Sequence, residues 1–275
     1  MTPIEPDSLE RALAERLDAA AGERLAASAD RDSGRDDAGG RDDVSAAERL
    51  AAARSDVAAD PSRIAVIFPG VGRMVGRDLL TADADPDDPH AWTVADAART
   101  LLLVSTGDAV DAEIQALYRH GDGEERRGVL RALPFLALDR AIGVALVEDA
   151  LRTNDVRLIA AACGPYTSAE LDDDAIAQAT LKCVFVGVPL GGFVGLEDRL
   201  TPEIAAMLAR FAHERVAAGR DVPDDIWTVA NNFPATDEVA AIEAELDHPD
   251  EGRAAAARRA LDRRALLGAT PSKNI

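Results

Sequence analysis

Apolar residues recur along this chain at spacings of three and four, and a polar capping residue stands where many of these runs begin. Leu9, Leu13 and Leu17 fall at spacing four, and Asp7 with Glu10 three positions on reads as a helix start. Ser45 precedes a run carrying Leu50 and Val57, and Thr93 with Asp96 forms a capping-box pattern ahead of the apolar run 101–104. Asp108 and Asp111 open a further helix with Val110, Ile114, Leu117 and Tyr118 on one stripe. Asp122 and Glu125 open the next, with Val129, Leu130 and Leu133. Residues 138–151 are apolar nearly all round, which predicts a central, buried helix. Thr201 and Pro202 read as a cap and a first helical position. Ile204, Leu208 and Phe211 line one face, and Gly219 ends that helix.

Two stretches interrupt the pattern. From Asp30 to Asp43 every residue is Ala, Gly, Ser, Asp or Arg, too little apolar surface to offset the entropy of ordering. Thr81 to Pro89 is rich in Asp and Pro and reads as an exposed loop. These breaks suggest N-terminal helices over 1–60 with a mobile loop at 30–43, a main helical domain over 61–235, and a helical tail over 236–275 with a loose end. Short helices joined by tight turns predict an all-α antiparallel helical array, of the HEAT-like, α-solenoid kind.

Composition agrees with helices. Apolar residues reach 47%, much of it Ala, while aromatics are only 4%, and Ala favours helix over strand. The formal net charge is -20, with 50 acidic against 30 basic residues, and lysine occurs only at 182 and 273. Such a surface repels phosphate backbones and anionic headgroups, which argues against nucleic-acid binding. Abundant Asp with scarce Lys also fits a protein kept soluble in high salt. Cys163 and Cys183 show neither CxxC nor a paired His, so they read as small buried hydrophobes rather than a zinc site or a disulfide framework. The chain shows no signal-peptide pattern and no apolar run of about 18 residues, so the expected location is the cytoplasm.

The motifs that invite a chemical reading each depart from their pattern. Ile64 to Phe68 followed by Gly70, Gly72 and Gly76 resembles a strand feeding a phosphate-cradling loop, but the glycine spacing is one residue too long and no βαβ alternation follows. A helix ending in glycines, or a buried segment with Arg73 and Arg77 facing out, is the better account. The glycine-rich stretch 186–195 lacks a Lys-Ser/Thr pair and reads as a helix–helix connection. His213-Glu214 begins an HExxH motif, but Ala217 stands where the second histidine belongs. His90, His120 and His248 show no metal-ligand spacing, and no G-x-S-x-G occurs. Neither a metal nor a cofactor is expected. What stays distinctive is a set of Arg and amide residues at helix ends: Arg126, Arg131, Arg152, Asn154 and Arg199. Arginines there can clamp an anionic ligand, or hold helix termini and neighbouring carboxylates.

Several phrases in order resemble the EboA family. They include Phe68-Pro69 with Gly72-Arg73 and Gly76-Arg77, Trp92-Thr93-Val94 with Ala97-Ala98-Arg99, and Leu117-Tyr118-Arg119 with Gly121-Asp122 and Glu125-Arg126. Leu130 to Pro134, Leu151 to Asn154, Val186 to Leu190, Gly195-Leu196 with Asp198-Arg199, Ala212 to Arg215 and Ile226-Trp227 continue the series. The likeness runs over roughly residues 61–230; the 30–43 insertion and the tail after 235 depart from it and are not expected to contribute to a functional site. The resemblance implies a helical accessory protein in the traffic of a metabolite out of the cytoplasm. The gene clusters it evokes also encode a UbiA-type membrane prenyltransferase and enzymes that handle sugars or phosphates. It carries over no catalytic residue.

The leading expectation is therefore a non-catalytic adaptor or carrier that binds a pathway intermediate, a partner enzyme, or both. Arg126, Arg131, Arg152, Asn154, Arg199, His213 and Glu214 are its candidate ligand contacts. The alternative is an enzyme on a phosphorylated or prenylated intermediate, with the arginines clamping the anion and His213 or Glu214 in acid/base work. A third reading, a nucleotide-binding regulator, would use residues 70–76.

Overall fold

The computed structural model describes residues 5–29, 44–107, 111–234 and 237–268, without side chains at 23–29. The stretch 30–43, Asp108 and Val110, and the loose end after 268 lie outside the described residues. The described chain is all-α: it carries no strand, only an isolated antiparallel bridge between Leu79 and Thr93. Two compact units follow one another, residues 3–152 and 153–275.

In the first unit, α1 (Pro6–Ala29) buries Leu9, Leu13 and Leu17 as the spacing predicts. Its start differs from the sequence reading. Pro6 opens the helix, where a missing N–H costs nothing, so Asp7 lies inside the first turn and is not the cap. α2 (Ala46–Ala59) begins at a complete capping box: the Ser45 hydroxyl accepts from the Glu48 amide and the Glu48 carboxylate accepts from the Ser45 amide. The segment that resembled a strand and phosphate loop is helical. α3 (Ile64–Ile67) and α4 (Val71–Val75) are joined by the 3₁₀ turn Phe68–Gly70, and Gly76 ends α4 at φ +94°. The Val71 amide donates to the Phe68 carbonyl and the Gly76 amide to that of Gly72, so these N–H groups serve the helices rather than an anion. Arg73 is exposed, as expected of a segment whose apolar residues Phe68, Val71 and Val75 are buried.

α5 (Val94–Val104) is the central helix of this unit, with every residue from Val94 to Leu103 buried. α6 (Asp111–His120) turns Ile114, Leu117 and Tyr118 inward, and α7 (Gly123–Ala132), capped by Asp122, packs along α5. The place expected for a central helix, residues 138–151, holds α8 (Arg140–Arg152), which buries only Gly143, Leu146, Val147 and Ala150. Arg140, Ala141, Ala145 and Glu148 of the same helix are exposed. The all-round apolar reading failed because small alanines lie on the wet face at little cost, and charges are interleaved among them.

In the second unit, α9 (Val156–Ala162) and α10 (Pro165–Glu170) are short, and α11 (Asp173–Val186) starts at the Asp172 cap. Gly187, at φ +82°, ends α11 in the left-handed region, with its amide and that of Val188 both donating to the Cys183 carbonyl. The glycine-rich stretch thus joins two helices. α12 (Pro202–Ala217) starts at Thr201, whose hydroxyl accepts from the Ile204 amide at 3.3 Å. It packs against α13 (Asp224–Ala230), α14 (Asp237–Ala244) and α15 (Glu251–Gly268) around Leu208, Ala212, Val216, Ile226, Trp227 and Ile242.

Candidate ligand-binding site

The arginines singled out in the sequence hold backbone carbonyls and carboxylates, and the asparagine meets a lysine. Arg126 donates to the Gly121 carbonyl at 3.0 Å and lies over the Tyr118 ring, 5.6 Å from its centroid. Tyr118 in turn donates to Asp149 at 3.1 Å, and Asp149 accepts from Arg152 at 3.4 Å. Arg126 and Arg152 thus meet at one remove, on the two sides of a tyrosine–carboxylate pair. Burial pushes the Tyr118 hydroxyl up, and Asp149 adds to the shift, so the phenol stays a donor. In the second unit Asn154 accepts from Lys182 at 3.1 Å. Arg199 donates to the carbonyls of Ser168 and Leu171 and pairs with Asp173 at 2.7 Å.

Arg131 belongs to a cluster whose other members the sequence reading did not single out as site residues. Asp96, fully buried in the first turn of α5, accepts from Arg127 at 2.9 Å and lies 3.2 Å from Arg131. The same carboxylate accepts from the Thr93 amide, completing the capping box. Burial alone pushes Asp96 up, but Arg131, Arg127 and the Thr93 amide outweigh it and hold the carboxyl below its ordinary range. Arg131 stacks 4.8 Å from the Trp92 ring centroid and donates to the Ala91 carbonyl at 2.8 Å, fastening the loop that precedes α5. Burial brings the Arg131 pKa down to about 10, which leaves it charged at neutral pH. Arg99, only 1% exposed, crosses Gly128 of α7 and stacks on Phe68. Its charge is met by Asp96 and by Glu124, Glu125 and Asp122 at the start of α7. The chain thus supplies its own counter-charge, and the cluster is a tie between α5, α7 and the loop before α5.

His213 and Glu214 are separated by their helix. Glu214 is exposed, while His213 is half-buried, with Nε2 3.4 Å from Glu245. Arg253 grips the same carboxylate through Nε and Nη2, and holds Glu245 below the ordinary range, with His213 adding to the effect. A histidine oriented by a carboxylate is half of an acid/base arrangement, but here the carboxylate is shared with an arginine.

Close to this group in sequence, the second unit opens a cavity of about 640 Å³. Leu261, Arg264, Ala265 and Gly268 line it from one face of α15, at the helical spacings three, four and seven. Glu243 of α14, Leu246 of the following turn and Asn231 after α13 supply the rest. Asn231 donates to the Arg264 carbonyl at 3.0 Å, which fixes the mouth of α13 against α15. The Arg264 Nε is buried without a hydrogen-bond partner. Leu246, Leu261 and Ala265 offer an apolar wall, while Arg264, Glu243 and Asn231 offer donors and acceptors. The volume falls in the range of sites for small molecules. The sequence reading sets most of these residues aside, since the tail after 235 is not expected to contribute to a site, and they are brought together from separated elements only by the fold.

Helices throughout, a self-compensated ionic core and a cavity between helices of the second unit define an all-α protein. The chain belongs to the EboA family: the family model described as metabolite traffic protein EboA matches residues 78–231, more than half of the chain. That span includes the Asp96 cluster and ends at Asn231, so the rest of the cavity lies beyond it. No curated protein and no solved structure matches the chain. Among the described residues no helix is long and apolar enough to cross a membrane.

Proposed function

We propose that this chain is an accessory protein of metabolite traffic that holds a small amphiphilic pathway intermediate in the cavity between α13, α14 and α15. The observation that carries the reading is the cavity of about 640 Å³, with its apolar wall and with Arg264, Glu243 and Asn231 in its lining. The family's description as a metabolite traffic protein supports the traffic role, while of the cavity only Asn231 lies within the matched span. A guanidinium beside an apolar wall suits a molecule with a hydrocarbon body and one anionic group, while Glu243 at the rim receives hydroxyl or ammonium groups. Protein purified from its own host and sprayed intact in native mass spectrometry is expected to carry a small-molecule adduct. Leu261→Trp, which fills the cavity, is expected to lose it. An adduct of equal occupancy in the filled variant, or none in the wild type, sinks the proposal.

The partner expected from the resemblance, a UbiA-type membrane prenyltransferase, belongs to the same reading as the protein that supplies or receives the cargo. Phe185 favours a protein contact on the second unit, being 65% exposed and set 6.1 Å from the ring of Phe211. Co-purification with the proteins of the gene cluster, with Phe185→Asp as control, tests this part. Capture that is unchanged by the substitution removes Phe185 from the contact.

A further inference from the structure

Cys163 caps the end of α9 and Cys183 sits in the last turn of α11, and the fold sets them side by side. The Cys183 thiol donates to the Cys163 sulfur across 3.3 Å, and neither residue has any exposed surface. A disulfide requires about 2.05 Å between sulfurs, so closure needs an approach of little more than ~1 Å. That approach is small beside what the local backbone can absorb. α9 has only seven residues, and Cys163 follows it in a non-helical conformation, with Gly164 next. Cys183 is the firmer partner, because its carbonyl accepts from both Gly187 and Val188. A metal is the poorer occupant: among the described residues no group of three His, Cys, Asp or Glu side chains could hold one.

We infer that Cys163 and Cys183 form a redox modification site, a dithiol that a small peroxide converts to an intramolecular disulfide joining α9 to α11. In the first step one thiolate attacks hydrogen peroxide. An S–O bond forms, the O–O bond breaks, and hydroxide leaves to take up the thiol proton as water. The second thiol then attacks the sulfenic sulfur. The S–S bond forms, the S–O bond breaks, and the departing oxygen leaves as a second water. Two thiols and one peroxide become one disulfide and two waters, with the peroxide as the species reduced. Close pairing with the Cys183 thiol pushes the Cys163 thiol well up, as does burial, and burial keeps bulky oxidants out. Hydrogen peroxide is small enough to reach it during local opening. The closed loop includes α10 and the Ser168 and Leu171 carbonyls that Arg199 holds, so the bond would stiffen a segment already tied from outside.

The full chain is treated with hydrogen peroxide, quenched, denatured and weighed intact. A loss of 2 Da, reversed by dithiothreitol, and a cross-linked Cys163–Cys183 peptide are expected. The melting temperature of the oxidised protein is expected to rise on the order of 5–10 °C, because the cross-link closes a short loop. Cys163→Ala and Cys183→Ala, each checked for helical content, are expected to show neither the mass loss nor the shift. Two free thiols after exhaustive peroxide, a gain of 32 Da on either cysteine, or cross-links only between chains would each overturn the assignment. The result is independent of whether the cavity holds a metabolite.

Discussion

Asp96 concentrates more of this protein's physics than any other side chain. It closes the capping box of α5, receives two arginines and has no access to water. Replacing it with Asn leaves Arg127 and Arg131 buried without a carboxylate, and such a loss costs about 3–5 kcal/mol. Chemical denaturation of Asp96→Asn measures it, and a loss below about 1 kcal/mol would show that the pair is not a stabilising tie. The pH dependence has a definite sign. The folded carboxyl lies below its unfolded value of about 3.9, so its contribution is complete above that pH and disappears as pH falls through the lower folded value. The acid limb of the wild-type stability curve should therefore be steeper than that of Asp96→Asn. Gly128 makes a second prediction. A Cβ there would stand 2.7 Å from Cδ of Arg99, in the buried seam between α5 and α7, so Gly128→Ala should cost about 1–3 kcal/mol despite the better helix propensity of alanine.

At the scale of helices, start signals carry much of the local specification. The helix starts at Ser45, Thr93, Asp122 and Thr201 were legible as capping residue types, and the structure adds that Ser45 and Asp122, like Thr93, form complete capping boxes. Thr201→Ala removes the side-chain cap at the start of α12, and the expected loss is about 1 kcal/mol in thermal or urea unfolding. Stripes read by spacing also succeeded where the apolar residues are large, as in Leu9, Leu13 and Leu17 or Ile114, Leu117 and Tyr118. They failed in α8, where alanine dominates and its burial is decided by what packs nearby. The strand-like run from Ile64 to Phe68 is helical, in keeping with the preferred reading of a helix ending in glycines: β-branched residues fit a short helix whose Phe68, Val71 and Val75 are all buried.

For the chain as a whole, the net charge of -20 is the property most open to test. Self-repulsion among exposed carboxylates weakens the compact state and is screened by salt. The melting temperature is expected to rise on the order of 5 °C between about 50 mM and 1 M sodium chloride. The same series in Asp96→Asn should run parallel, since a buried pair is little screened; a flat response in the wild type would show that the acidic surface carries no net strain. Helical class, cap positions, the main stripes and the family resemblance came from residue types and their spacing, because these are local properties of 3.6-residue periodicity and of N–H groups left open at helix starts. The tertiary structure alone decided that α5 is the buried helix, that Arg126 and Arg152 flank Tyr118 and Asp149, and that Arg131 pairs with Asp96. It also decided that Leu246, Leu261 and Arg264 share a cavity, and that two cysteines twenty positions apart touch. Those facts depend on which faces meet across long loops, and no spacing along a single chain encodes that.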